Sequence, residues 1–104
     1  MKRKKRLRWH SQAVRDLELG HDFLHQHNTE AARRFASSIL DATERLRTYP
    51  ELGPVARDLR PEGRYRHWVC GRHRLIYRID GEIVWILRVW DTRRDPADLA
   101  VGQE

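Results

Sequence analysis

Apolar and polar positions change their period once along the chain, close to residue 50. Lys5 to Trp9 alternates, with Leu7 and Trp9 on one side, and predicts a short first strand. Ser11 then precedes Ala13, Val14, Leu17 and Leu24, a broken helical spacing that runs to about His27 with Ser11 as its N-cap. His27-Asn28-Thr29 interrupts it. A second helix begins after Asn28 or Thr29, where Ala32, Phe35, Ile39, Ala42 and Leu46 recur at steps of 3 and 4 and draw one continuous apolar stripe. Tyr49-Pro50 ends this helix, because proline disfavours helical geometry in the residue before it, and Gly53-Pro54 marks a loop. The connection near residue 28 is short, so the two helices are expected to form an antiparallel hairpin.

Beyond the loop the chain is rich in β-branched and aromatic residues. Arg64 to Val69, His73 to Ile79 and Ile83 to Val89 read as strands, and Asp80-Gly81 between the last two is a two-residue hairpin signal. The expected fold class is therefore α+β: an N-terminal strand and a helical hairpin packed on a small, mostly antiparallel sheet. With Asp80-Gly81 at the tip, Tyr77 would pair with Val84, Leu75 with Ile86, Arg78 with Ile83, Ile76 with Trp85 and Arg74 with Leu87. One face then carries Leu75, Tyr77, Ile79, Val84 and Ile86 toward the helices. The other mixes Arg74, Ile76 and Arg78 with Trp85, Leu87 and Val89, an aromatic and arginine surface suited to binding. A bulge in the hairpin would exchange the faces beyond it.

A length of 104 residues suits one domain, 1–104, with a single core and no need of disulfides. The one cysteine, Cys70, has no internal partner, which fits a reducing, cytoplasmic setting. No apolar run reaches the roughly 18 residues of a membrane helix, so no membrane partner is expected. Charge adds more: 21 basic against 15 acidic residues leave +6, in the range of proteins that meet polyanions. Residues 1–15 carry +7 and residues 57–94 carry +5, whereas residues 16–56 and 95–104 each carry −3. All but Lys2, Lys4 and Lys5 of the basic residues are arginines, whose planar fork suits phosphate, carboxylate and aromatic faces.

The order of strand, helical hairpin, Leu46-x3-Pro50-x2-Gly53, Arg74-Leu75-Ile76-Tyr77-Arg78-Ile79, Ile86-Leu87-Arg88-Val89 and Asp91-Thr92-Arg93-Arg94-Asp95-Pro96 resembles the RelE/ParE superfamily of bacterial type II toxins. The resemblance covers the chain from about Leu7 to Pro96. It implies a growth-inhibiting α+β toxin, neutralised by a cognate antitoxin in a hetero-oligomer. RelE-type members cut mRNA on the ribosome. ParE-type members inhibit DNA gyrase and are not nucleases.

Cleavage through a 2′-OH needs groups that activate the hydroxyl, stabilise the phosphorane and protonate the leaving oxygen. Arg74 and Arg93 or Arg94 match the arginines of the RelE-type pattern, so charge stabilisation is available. The acid–base group is not: no tyrosine follows Tyr77, no histidine follows His73, and Arg57, Arg60, Arg64 and Arg66 stand where RelE-type enzymes carry lysines. Arginine stays protonated and makes a poor base. The Arg-Arg-Asp-Pro ending resembles the ParE branch. The expected target-binding set is Arg74, Arg78, Trp85, Trp90, Arg93 and Arg94, with Arg74, Arg93 and Arg94 as the catalytic set of the ribonuclease alternative. A plain basic nucleic-acid-binding module is the third reading.

Other chemistry is weaker. His67, Cys70 and His73 suggest a thiol between histidines, yet without a C-x-x-C pair Cys70 reads as a small packed hydrophobe. His21 and His25 stand at i and i+4 on the first helix but lack further ligands, which reads as a solvated face. No metal or cofactor is expected. The implied partners are an acidic, amphipathic antitoxin and DNA gyrase, or the ribosome and mRNA in the RelE-type alternative.

Overall fold

The computed structural model describes residues 3–101, so the charges of Lys2 and Glu104 lie outside the described residues. Strand β1 (Arg6–Trp9) leads into helices α1 (Ser11–His25) and α2 (Thr29–Thr48); β2 (Arg66–Cys70), β3 (His73–Asp80) and β4 (Ile83–Asp91) follow, and a 3₁₀ turn covers Pro96–Asp98. The fold is α+β, with two helices on a mixed sheet of order β1-β4-β3-β2. Only the β1–β4 pair is parallel.

Asn28 caps α2 as its position suggests: its side chain accepts the Ala31 N–H at 3.0 Å. The cap of α1 is His10 and not Ser11. The His10 N–H is still bound into the sheet by the Ile86 carbonyl at 2.9 Å, so this residue stays extended, and its Nδ1 accepts the Gln12 N–H at 3.1 Å. Ser11 is thereby already helical. α1 ends at His25, two residues before the expected stop, because Asn28 has begun the next cap. On α2 the stripe is as expected, with Ala32, Ile39, Ala42 and Leu46 buried and Phe35 packed at its margin.

The β3–β4 hairpin departs from the expected register. Asp80 pairs with Ile83, so the two turn residues are Gly81 and Glu82, and Gly81 has the positive φ of 57° that such a first turn position favours. Tyr77 pairs with Ile86 and Arg78 with Trp85, two residues from the expected partners, so the two faces are preserved. Beyond that point Ile76 pairs with Arg88, leaving Leu87 as an extra residue in β4. The bulge exchanges the faces after it. Val89 joins Leu75, Tyr77, Val84 and Ile86 against the helices, contrary to expectation, and Trp90 turns to the opposite side.

That opposite side is not the open surface expected. Ala56 and Tyr65 from the long α2–β2 loop and Leu59, Leu99 and Val101 cover Ile76, Leu87 and Trp90, which form a second core. The loop has no apolar period, so it gave no sign of folding over the sheet. Tyr77 fastens it from the helix side: its hydroxyl donates to the Pro50 carbonyl at 2.6 Å and accepts the Gly53 N–H at 3.0 Å, all buried. Gly53 is confined by contact, since a Cβ there would lie 2.3 Å from the His67 carbonyl oxygen.

Where β1 stops pairing, at Ile86, the edge of β4 is closed by a side chain. Asp16 of α1 accepts the Val89 N–H at 3.0 Å and takes the Arg88 guanidinium bidentately at 2.7 and 3.0 Å. Arg88 also donates to the Ala100 carbonyl at 3.0 Å. Both side chains of the pair are 9% exposed.

Two stability outcomes follow. Tyr77→Phe leaves a buried N–H and carbonyl unpaired and is expected to cost about 2 kcal/mol, roughly 10 °C in Tm for a domain of this size; a loss under 3 °C in a thermal melt would contradict the role given to the hydroxyl. Asp16→Ala strands a buried guanidinium and is expected to cost roughly 3–5 kcal/mol in urea unfolding, while the double change Asp16→Leu/Arg88→Met recovers part of it because no charge is left unpaired.

Candidate functional site

Cross-strand pairing decides how the expected arginines meet the tryptophans. Arg74 stands opposite Trp90 and Arg78 opposite Trp85, on the sheet face away from the helices. Four residues along β3 separate the two pairs, about 13 Å at the rise of a strand. The face therefore has two cationic aromatic ends with the second core between them, in place of one continuous patch. At one end the Arg78 guanidinium lies 5.6 Å from the Trp85 ring and donates to Asp80 at 3.1 Å. At the other, Arg94 lies 4.3 Å over the Trp90 ring, close enough for a cation–π contact. Trp85 is half-buried and Trp90 is buried, so Trp90 acts on this face through the arginine it carries.

Arg74 is held on three sides. Its Nη1 donates to Asp58 at 2.9 Å, its Nη2 donates to the second oxygen of the same carboxylate, and its Nε donates to His67 Nδ1 at 2.7 Å. The hydrogen bonds from Arg74 lower the Asp58 pKa. Burial, followed by the charge of Arg74, lowers that of His67. An Nδ1 that accepts from a guanidinium fixes the neutral ring with its proton on Nε2. The side chain of Arg74 is 13% exposed, so it is an anchor of the α2–β2 loop as much as a surface cation.

Arg93 turns away from this face. It donates bidentately to Asp91 at 3.0 and 2.7 Å, and its hydrogen bonds bring the Asp91 pKa down to about 2. Asp91 pairs across the hairpin with His73, whose ring packs on Phe35 at 4.5 Å between centroids and whose pKa burial pushes down. The histidines flanking Cys70 thus lie on opposite sides of the sheet, His67 with Arg74 and His73 toward the helices. Burial raises the Cys70 thiol above its usual value, which makes it less reactive. His21 and His25 stack on each other at 5.6 Å on the outer part of α1. Among the described residues no group of three or more His, Cys, Asp or Glu is placed to hold a metal ion.

The functional residues that the sequence concealed are carboxylates. Asp58, Asp91 and Asp16 each close one arginine, and each sits outside any periodic pattern. A short-range cue existed only for Asp91, two residues before Arg93. No helix of the described chain is long and apolar enough to cross a membrane.

Comparison with known proteins follows this geometry. No curated protein matches the chain in sequence. Among solved structures, a chain from the chromosomal ParDE toxin–antitoxin system of P. aeruginosa superposes with a TM-score of 0.69 at 19% identity, over 83% of this chain and 94% of that one. A chain of the RelBE2 toxin–antitoxin complex from Mycobacterium tuberculosis superposes with a TM-score of 0.59 at 29% identity, over 83% and 95%. The model of the family described as "ParE toxin of type II toxin-antitoxin system, parDE" matches residues 7–96, from β1 through the Arg93-Arg94-Asp95-Pro96 ending. The chain belongs to this family of ParE toxins of type II toxin–antitoxin systems.

Proposed function

We propose that this toxin inhibits growth by binding DNA gyrase, without cutting mRNA, and that an acidic antitoxin encoded beside it holds it silent. The observation that carries the reading is the state of the arginine face. Arg74 is closed by Asp58 and His67, and Arg93 by Asp91. The one imidazole there spends its lone pair on Arg74 and is left with a donor, not a base. Tyr65 and Tyr77 are buried, and no tyrosine or histidine follows them toward the C-terminus after His73. Such a face has cations and aromatic edges for docking but lacks the proton transfers of hydroxyl activation and leaving-group protonation. Arg78 with Trp85, Arg94 with Trp90, and Arg93 at the rim are the contact residues of this reading, because arginine and tryptophan concentrate binding energy where they are desolvated together. A partner with carboxylates fits the same charge, and both solved relatives come from toxin–antitoxin systems.

The decisive experiment sets a gyrase supercoiling assay beside mRNA cleavage on translating ribosomes. Inhibition of supercoiling by stoichiometric toxin, with no new mRNA ends, is expected. Arg94→Glu should weaken that inhibition at least tenfold while leaving Tm within about 3 °C, since exposed changes cost under roughly 0.5 kcal/mol. Ribosome-dependent cuts at nanomolar toxin that vanish in Arg74→Ala would overturn the reading.

Acid titration checks the anchors. A histidine whose folded pKa lies below 6.5 favours the folded state above that value, and its contribution is lost as the pH falls below it; His67 and His73 are of this kind. Asp58 and Asp91 have lowered values, so their contribution is full above 3.8 and disappears as the pH falls, toward about 2 for Asp91. The urea midpoint is expected to drop in two steps, below pH 6.5 and again below pH 4, with the first reduced in the double change His67→Asn/His73→Asn. A single step confined to pH below 4 would contradict the neutral state assigned to these rings.

A further inference from the structure

A cavity of about 720 Å³ opens on the other side of the sheet from the docking face, in the angle between α1, α2 and the β2–β3 turn. Its walls are apolar. Leu19 and Phe23 lie one turn apart on α1 and are 62% and 55% exposed, with Phe35 of α2 behind them. Large side chains left in water at i and i+4 along one edge of a cleft form a ridge that a second helix can pack beside.

The charge at its mouth is positive for a specific reason. Two carboxylates line the cavity, Asp16 and Asp91, and both are spent, on Arg88 and Arg93. Arg72 and Arg94 line it too and have no carboxylate partner among the described residues. An occupant must therefore be apolar along its centre and anionic at its margin. A second copy of this chain, at +6, brings the wrong charge. The chain's own acidic tail is already seated across the sheet, where Leu99 and Val101 pack into the second core.

We propose that this groove seats an acidic amphipathic helix of the neutralising partner, and that the helix silences the toxin by drawing Arg94 into the groove. The proposal rests on the reading of the chain as a toxin held by an acidic protein. Arg94 is the hinge of the device, because it both covers the Trp90 ring on the docking face and lines the groove. A carboxylate bound at the groove mouth competes with the ring for the same guanidinium. The partner thus need not cover the docking face to disable it. Apolar side chains at i and i+4 of the helix fill the space beside Leu19, Phe23 and Phe35, which is the helix-in-groove mode of recognition.

Cys70 makes the test direct, since it is the one cysteine of the sequence and lies in the lining of this cavity. The full chain is alkylated with iodoacetamide alone and with the purified acidic protein encoded by the neighbouring gene. Complex formation is expected to slow alkylation of Cys70 at least tenfold. Leu19→Asp and Phe23→Asp, both at exposed positions, are expected to weaken binding of that protein at least a hundredfold with unchanged Tm. Arg72→Glu is expected to slow association several-fold, whereas Arg57→Glu, exposed on the α2–β2 loop, leaves it unchanged. Native affinity in both apolar variants, with Cys70 still reactive in the complex, would overturn the groove assignment and leave the toxin reading standing. Failure of the neighbouring protein to bind the native chain would overturn the toxin–antitoxin reading itself. Protection of Cys70 by RNA and not by that protein would assign the groove to a nucleic acid and overturn the proposal.

Discussion

The bidentate pair of Asp16 and Arg88 is the contact on which the rest of the arrangement depends. It joins three parts of the chain that share no strand ladder: α1 through Asp16, the edge of β4 through the Val89 N–H, and the C-terminal segment through the Ala100 carbonyl. A parallel β1 that stops at Trp9 leaves the second half of β4 with an unpaired edge, and an unpaired buried N–H there is costly. One carboxylate oxygen replaces the missing strand. Because the same oxygen also holds Arg88, the position of α1 on the sheet and the seating of the tail on its opposite face are fixed together. A buried ion pair of this kind contributes little net stability compared with an apolar pair of the same volume, but it specifies one geometry.

The bulge at Leu87 lies next to this pair and follows the same logic. With strict alternation along β4, Val89 would leave the helix-side core and Trp90 would enter it. One extra residue places Trp90 over the far face, where Arg94 can lie on it, and places Asp91 beside His73 on the helix side. Charge follows the bulge. Arg93 goes with Asp91, Arg94 with Trp90, and two adjacent arginines serve two sides of the sheet.

Much of this was legible in the chain and part of it could not be. The stripe on α2 could be read because steps of 3 and 4 admit one geometry, and the Tyr49-Pro50 stop because proline constrains its predecessor. The faces of β3 survived an error of two residues in register, since side-chain direction depends only on parity. Asp80-Gly81 misplaced the turn by one residue because a glycine with positive φ can occupy either central position, and only pairing across the hairpin tells which. The bulge had no local signature. The cover supplied by Ala56, Leu59 and Tyr65 was hidden for a different reason: these residues lie in a loop whose path is set by Tyr77 and Gly53, far along the chain. The arginines were visible and their partners were not, because a salt bridge between residues 16 or 72 positions apart leaves no periodicity.

Partner geometry also decides what a visible arginine can do. A guanidinium has five N–H donors, and it recognises a phosphate by presenting two of them side by side. In Arg74 three are engaged, two by Asp58 and one by His67, so no edge of the fork remains open for a second bidentate contact. Arg93 has likewise given one edge to Asp91. Arg94 has its planar face on an indole and its donor edges free of carboxylates, a state already ordered and only partly satisfied. Ordering before binding lowers the entropic cost of a contact, and an unsatisfied edge supplies its energy. The cation with the greatest capacity to bind a new partner is therefore Arg94, the one that the bulge carried to the Trp90 face.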